Sequence, residues 1–119
     1  MSEIRLGILG GGQLGSMMSV AAKKLNIKTI IFSDDQDSPA RNFCDEFVFG
    51  NYKDKNKIDE FTNKVNIITY EFENIPYETL NEINKSKTVN PKPSINRLIQ
   101  HRLAEKDFVN KLNIRTTRY

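Results

Sequence analysis

Apolar positions along this chain follow two periods that take turns. Ile4, Leu6, Ile8 and Leu9 form a short run that stops at glycine and predicts a first, buried strand. Leu14, Met17, Met18, Ala21 and Leu25 then recur at helical spacing with Lys23 and Lys24 opposite, which predicts a helix with the methionines in the core. Strands are predicted again at KTIIF (28–32), EFVFG (46–50), VNIITYEF (65–72) and KTVNP (87–91), the last closed by Pro91. Between them helices are expected around 55–64 and 76–85, where Pro76 suits a first turn that needs no N–H. The stretch 94–112 has no strand signal and predicts one or two helices, with Ile95, Leu98, Ile99, Leu103, Phe108, Val109 and Leu112 as the apolar set. Strands alternating with helices predict an α/β fold, a parallel sheet with helices on both faces and ligands at the carboxyl ends of the strands.

Length and composition narrow the class. A chain of 119 residues holds one domain with one modest core. No apolar run is long enough to span a bilayer, and MSEIRLGILG places Glu3 and Arg5 where a leader would be apolar, so a cytoplasmic protein without membrane contact is expected. Cys44, the one cysteine, has no partner for an internal disulfide and reads as a small buried filler. The net charge of +3 is local: residues 97–119 hold six Lys or Arg against Glu105 and Asp107, and the remainder is slightly acidic. Because this basic segment offers only Phe108 and Tyr119 for stacking, nucleic-acid binding is not expected.

Candidate chemistry begins at GILGGGQLGSM (7–17), where Gly10, Gly12 and Gly15 keep the G-x-G-x-x-G spacing between a strand and a helix. Free N–H groups and the positive end of a helix dipole meet there, so the loop is expected to bind phosphate or carboxylate, with Gly12 needing a backbone free of Cβ. A dinucleotide would also need an acid about 20 residues on, and Asp34 and Asp35 meet that demand. An NAD(P)-binding oxidoreductase domain is therefore one reading; the other takes DDQDSP as a polar turn. In TYEFENIP (69–76), Glu71 and Glu73 leave one face of a strand and are able to accept from a substrate, unless the strand has ended and both are loop residues.

Taken together and in order, ILGGGQLGSMM, TYEFENIP and NPKPSINRLIQHRLAEKDFVNKLNIRT resemble the amino-terminal, Rossmann-like pre-ATP-grasp domain of the 5-(carboxyamino)imidazole ribonucleotide synthases, ATP-grasp ligases of purine synthesis. The resemblance implies an enzyme that uses ATP, Mg²⁺ and bicarbonate to carboxylate 5-aminoimidazole ribonucleotide, commonly as a homodimer. It implies substrate contacts from Gly12, Gln13, Leu14, Gly15 and Glu73 and an ATP contact from Arg102, with no catalytic or metal-binding residue in this stretch. Residues 1–112 then form the substrate-binding domain and 113–119 begin the connection to an ATP-grasp domain, so that the chain is expected to be a fragment with little activity of its own. Ser16 stands where the family usually has Arg, and His101 where it has Asp or Asn before Arg102; His101 itself reads as a solvated residue.

Overall fold

The computed structural model describes residues 3–72 and 75–94. The chain runs β1 (Arg5–Leu9), α1 (Gln13–Lys24), β2 (Lys28–Ser33), a 3-10 turn (Pro39–Asn42), β3 (Glu46–Phe49), α2 (Lys55–Thr62), β4 (Ile67–Tyr70), α3 (Tyr77–Asn84) and β5 (Thr88–Val89). Every strand and helix predicted before residue 90 is present, with ends shifted by one or two residues. The helical stretch predicted from 95 onward lies outside the described residues.

The strands form one parallel sheet in the order β3-β2-β1-β4-β5. From β1 the chain steps outward to β2 and β3, then crosses back to β4 and β5, so the direction of winding reverses between β1 and β4. Right-handed crossovers place the connections of the two halves on opposite faces. On one face α2 and α3 bury Ile58, Phe61, Leu80 and Ile83 against Leu9, Ile30, Phe32, Val48, Ile68 and Val89. On the other, Ile8 and Ile31 pack with Ala40 of the 3-10 turn and with Met18 of α1. The strict alternation of Ile30, Ile31 and Phe32 between the two clusters is the period-2 pattern of β2 made visible.

Helix α1 corrects one expectation. Its sheet-facing residues are Gly15, Ser19 and Ala22, whereas Leu14, Met17 and Leu25 are 58%, 60% and 71% exposed. Small residues at this spacing let the helix lie close against the strands, and the Ser19 hydroxyl is satisfied by donating to the Gly15 carbonyl at 2.9 Å. Met18 alone of the two methionines packs on the core. The helix is closed just past its C-cap Leu25 by Asn26, whose φ of 59° lets Ile27 N–H reach the Ala22 carbonyl and Asn26 N–H the Lys23 carbonyl, a Schellman closure with Asn at the left-handed position.

The two edges of the sheet differ. At the amino end, Arg5 donates to Glu46 and to the Lys64 carbonyl, each at 2.6 Å, and ties β1 to β3 and to the turn after α2. The carboxyl end carries the glycine loop and is open.

Candidate functional site

Where the winding of an open α/β sheet reverses, the connections diverge and leave a crevice at the carboxyl ends of the strands. Here that point lies between β1, which ends in Gly10–Gly12, and β4, which is followed by Glu71 and Phe72. A cleft of about 190 Å³ opens there, lined by Gly10–Gly12 together with Ser33, Asp34, Asp35 and Ser38 from the β2 side and by Tyr52, Glu71 and Phe72.

The glycines have direct structural causes: Gly10 and Gly12 lie against the side chain of Glu71, and Gly15 against the Gly10 carbonyl. The backbone hydrogen bond from Glu71 N–H to the Leu9 carbonyl (3.0 Å) carries the ladder one residue past β4 and aims the side chain across the loop. Its Oε1 accepts from Gly12 N–H at 2.8 Å, at the start of α1. A Cβ on Gly10 would lie 2.7 Å from that oxygen, and one on Gly12 3.1 Å from it. Gly10 also has φ +112°, open only to glycine at low cost, while Gly12 has ordinary extended backbone (φ −77°, ψ −162°). The absolute need for glycine expected at Gly12 thus belongs to Gly10, and to Gly15, whose Cβ would meet the Gly10 carbonyl oxygen at 2.9 Å.

The β2 side is a closed ring of hydrogen bonds. Asp35 N–H donates to Ser33 Oγ (3.1 Å), and Ser38 Oγ donates to the Asp35 carbonyl (2.6 Å). The 2.7 Å contact between the two buried hydroxyls must then run from Ser33 to Ser38, since Ser38 has only one proton to give. Asp35 Oδ1 also accepts from Asp37 N–H (2.9 Å), so DDQDSP is a polar turn, and Asp34 and Asp35 are both exposed at the cleft. Tyr52, buried between Phe32 (5.4 Å between ring centroids) and Phe72 (6.0 Å, stacked), forms the wall. Burial pushes its phenol well above the ordinary value, helped by the Asp34 carboxylate and, to a smaller extent, Glu71, while a Ser33 hydrogen bond pulls the other way. The hydroxyl is therefore a neutral group among carboxylates.

Of the residues singled out from the sequence, Gly12 lines the cleft. Gln13 and Leu14 are exposed on the first turn of α1, Gly15 is buried beneath it, and none of the three is in the lining. Glu73 and Arg102 lie outside the described residues. The Ser33–Ser38 pair and Tyr52 do not stand out in the sequence. Glu71 does, as a strand-end acceptor, and in the structure its Oε1 accepts from the glycine loop. A larger hollow of about 400 Å³ between α2 and α3 has the Lys55–Asp59 ion pair (3.0 Å) in its lining.

This geometry disfavours a dinucleotide. A pyrophosphate at the start of α1 would compete for the N–H that Glu71 holds, beside Asp34 and Asp35, with no cationic side chain among the described lining.

Comparison with known proteins agrees. Residues 1–100 match the family model of the ribonucleotide synthetase preATP-grasp domain. The bifunctional purine synthesis protein purC/E of Dictyostelium discoideum is 40% identical over 114 residues, covering 96% of this chain and 11% of that protein. N5-carboxyaminoimidazole ribonucleotide synthetase from Thermus thermophilus superposes with a TM-score of 0.89 at 32% identity, over 93% of this chain and 31% of that one. The Aspergillus clavatus N5-carboxyaminoimidazole synthase, solved with ADP and 5-aminoimidazole ribonucleotide, superposes with a TM-score of 0.85 at 27% identity, over 98% and 31%. The chain thus spans less than a third of the length of each of these relatives. With the family model covering most of its residues and the sheet, glycine loop and switch-point cleft in place, the chain belongs to the ribonucleotide synthetase preATP-grasp domain family.

Proposed function

We propose that this chain is the substrate-holding domain of a cytoplasmic, homodimeric ATP-dependent ligase that carboxylates 5-aminoimidazole ribonucleotide with bicarbonate in purine synthesis. The observation that carries the reading is the open cleft at the switch point of the sheet, in a fold whose Aspergillus clavatus relative was solved with that ribonucleotide and ADP. At about 190 Å³ the cleft is smaller than pockets that enclose a whole ligand of drug size, roughly 300–1,000 Å³, and suits a sugar-sized part of one. In this reading Gly12 faces the ribonucleotide in the cleft, Gln13 and Leu14 reach it from the exposed first turn of α1 with Gly15 as the backbone behind them, Glu73 accepts from ribose hydroxyls, and Arg102 meets a phosphate of ATP. Residues 1–112 constitute the substrate domain and 113–119 its connection onward.

ATP and Mg²⁺ do not fit the described cleft, which offers carboxylates to a triphosphate, and no metal-binding group of His, Cys, Asp and Glu occurs among the described residues. Both are assigned to parts of the ligase beyond them. Among the described residues no helix is long and apolar enough to cross a membrane.

Titration of the isotope-labelled chain with 5-aminoimidazole ribonucleotide and, separately, NADH tests the reading. The expected outcome is a saturable shift of the amides of Gly10–Gly12, Ser33 and Ser38 with the ribonucleotide and none with NADH. Shifts with NADH, or none at these amides with the ribonucleotide at millimolar concentration, would overturn it.

A further inference from the structure

Three features of Glu71 are unexplained by a contact with substrate. Its carboxylate accepts from the N–H of Gly12, the N-cap of α1, beside the first-turn amides where a bound anion would sit. Gly10 and Gly12 leave room for its side chain, since a Cβ on either would stand 2.7 Å and 3.1 Å from Oε1. It is half-buried, and Tyr52 feels its charge.

We infer that Glu71 is a positioning and specificity residue of the cleft: it supplies the glycine loop with an internal anion, so that the loop admits the hydrogen-bond donors of a ribonucleotide, its hydroxyls or amine, and turns phosphate away. The inference deepens the function proposed above and rests on it for the identity of the ligand.

The argument is one of competition for a single donor. The Gly12 N–H has one hydrogen to give, and a carboxylate 2.8 Å away has taken it. A phosphate placed at the same spot would lose that bond and would meet a like charge at contact distance, in a lining that also contains Asp34 and Asp35. A hydroxyl or an amine meets the reverse situation, because Glu71 Oε2 and the second lone pair of Oε1 accept from it. Ligand orientation follows: sugar or amine toward the loop, phosphate away from it. The glycines serve this arrangement by letting the carboxylate lie flat on the backbone, where any side chain at residue 10 would displace it.

Glu71→Gln keeps the shape and removes the charge, and it tests the inference with inorganic phosphate as the probe. In the unaltered chain, phosphate is expected to leave the Gly12 and Gln13 amides unmoved. In Glu71→Gln those amides are expected to shift saturably, with phosphate affinity raised at least tenfold and affinity for 5-aminoimidazole ribonucleotide lowered about tenfold. A residue that only supported the fold would produce no gain of phosphate binding. Glu71→Asp, which keeps the charge on a shorter arm, should restore the exclusion of phosphate, and thermal unfolding of each variant verifies that it is folded. The inference is overturned if the unaltered chain binds phosphate at Gly12, or if folded Glu71→Gln still excludes it. Because the phosphate arm needs no ribonucleotide, exclusion relieved by Glu71→Gln in a chain that ignores the ribonucleotide would refute the proposed function and leave the role of Glu71 standing.

Discussion

At the scale of single residues, the glycine motif separates into positions with different tolerances. Gly10 combines φ +112° with a Cβ that would stand 2.7 Å from Glu71 Oε1, so Gly10→Ala is expected to destabilise the chain by about 1–3 kcal/mol in urea unfolding. Gly12→Ala places its Cβ at 3.1 Å from the same oxygen on unstrained backbone. The carboxylate has to yield by a few tenths of an ångström, and the expected cost is below about 1 kcal/mol, with the Gly12 amide resonance displaced as its bond to Glu71 lengthens. Equal losses for the two variants would mean that packing on Glu71, and not the backbone angle, sets the requirement. Sequence spacing alone marked these glycines but ranked them wrongly. That a strand-end carboxylate reaches back to its own glycine loop is not visible in the sequence, and only the distance to Gly12 N–H reveals it.

At the scale of elements, the strands were legible because β-branched runs are bounded by glycine, proline and asparagine, and period 2 is hard to mistake in a buried parallel sheet. The face of α1 was not legible, because its apolar set is the larger in volume and yet points outward. Close approach to the sheet selected Gly15, Ser19 and Ala22, a stripe of small residues at i, i+4 and i+7 that hydrophobicity does not score. The Ser33–Ser38 ring and Tyr52 were missed for another reason: they are separate loops in the sequence that the fold alone brings to one cleft. Within β2 one residue is a poor fit. Thr29 is 1% exposed, and although its N–H donates to Asp45 (2.9 Å) its hydroxyl has no partner. Thr29→Val removes that buried polar atom at nearly constant shape, and the urea midpoint is expected to rise by the equivalent of about 1 kcal/mol. A fall in the midpoint would show that the hydroxyl is satisfied in solution.

At the scale of the whole molecule, the sheet separates mechanical from chemical ends: Arg5 closes the amino edge with Glu46 and Lys64, and the carboxyl edge keeps carboxylates and one buried phenol around an open cleft. That phenol links the cleft to global stability. In the unfolded chain Tyr52 titrates near pH 10, as phenols do, and in the folded chain burial and the Asp34 charge hold it higher. Above pH ~10 the unfolded state therefore loses its proton while the folded state keeps it. The unfolded state then binds fewer protons, which makes the slope of unfolding free energy against pH negative, up to about 1.4 kcal/mol per pH unit for this one group. The stabilising contribution of the neutral phenol is complete below pH ~10 and is lost as pH rises toward the folded value. Tyr52→Phe removes the titration while keeping the ring between Phe32 and Phe72. Urea unfolding at pH 7, 9, 10 and 11 is therefore expected to show the unaltered chain and Tyr52→Phe separated by a constant gap up to pH 9. Above that, the gap should shift in favour of Tyr52→Phe, whose stability falls less steeply because only the remaining groups titrate. Tyr70, which burial also raises but less completely encloses, supplies the comparison: Tyr70→Phe should flatten the alkaline limb by a smaller amount. Parallel curves for Tyr52→Phe and the unaltered chain would mean that water reaches the Tyr52 hydroxyl in the folded state, and that the cleft wall it forms is open to solvent.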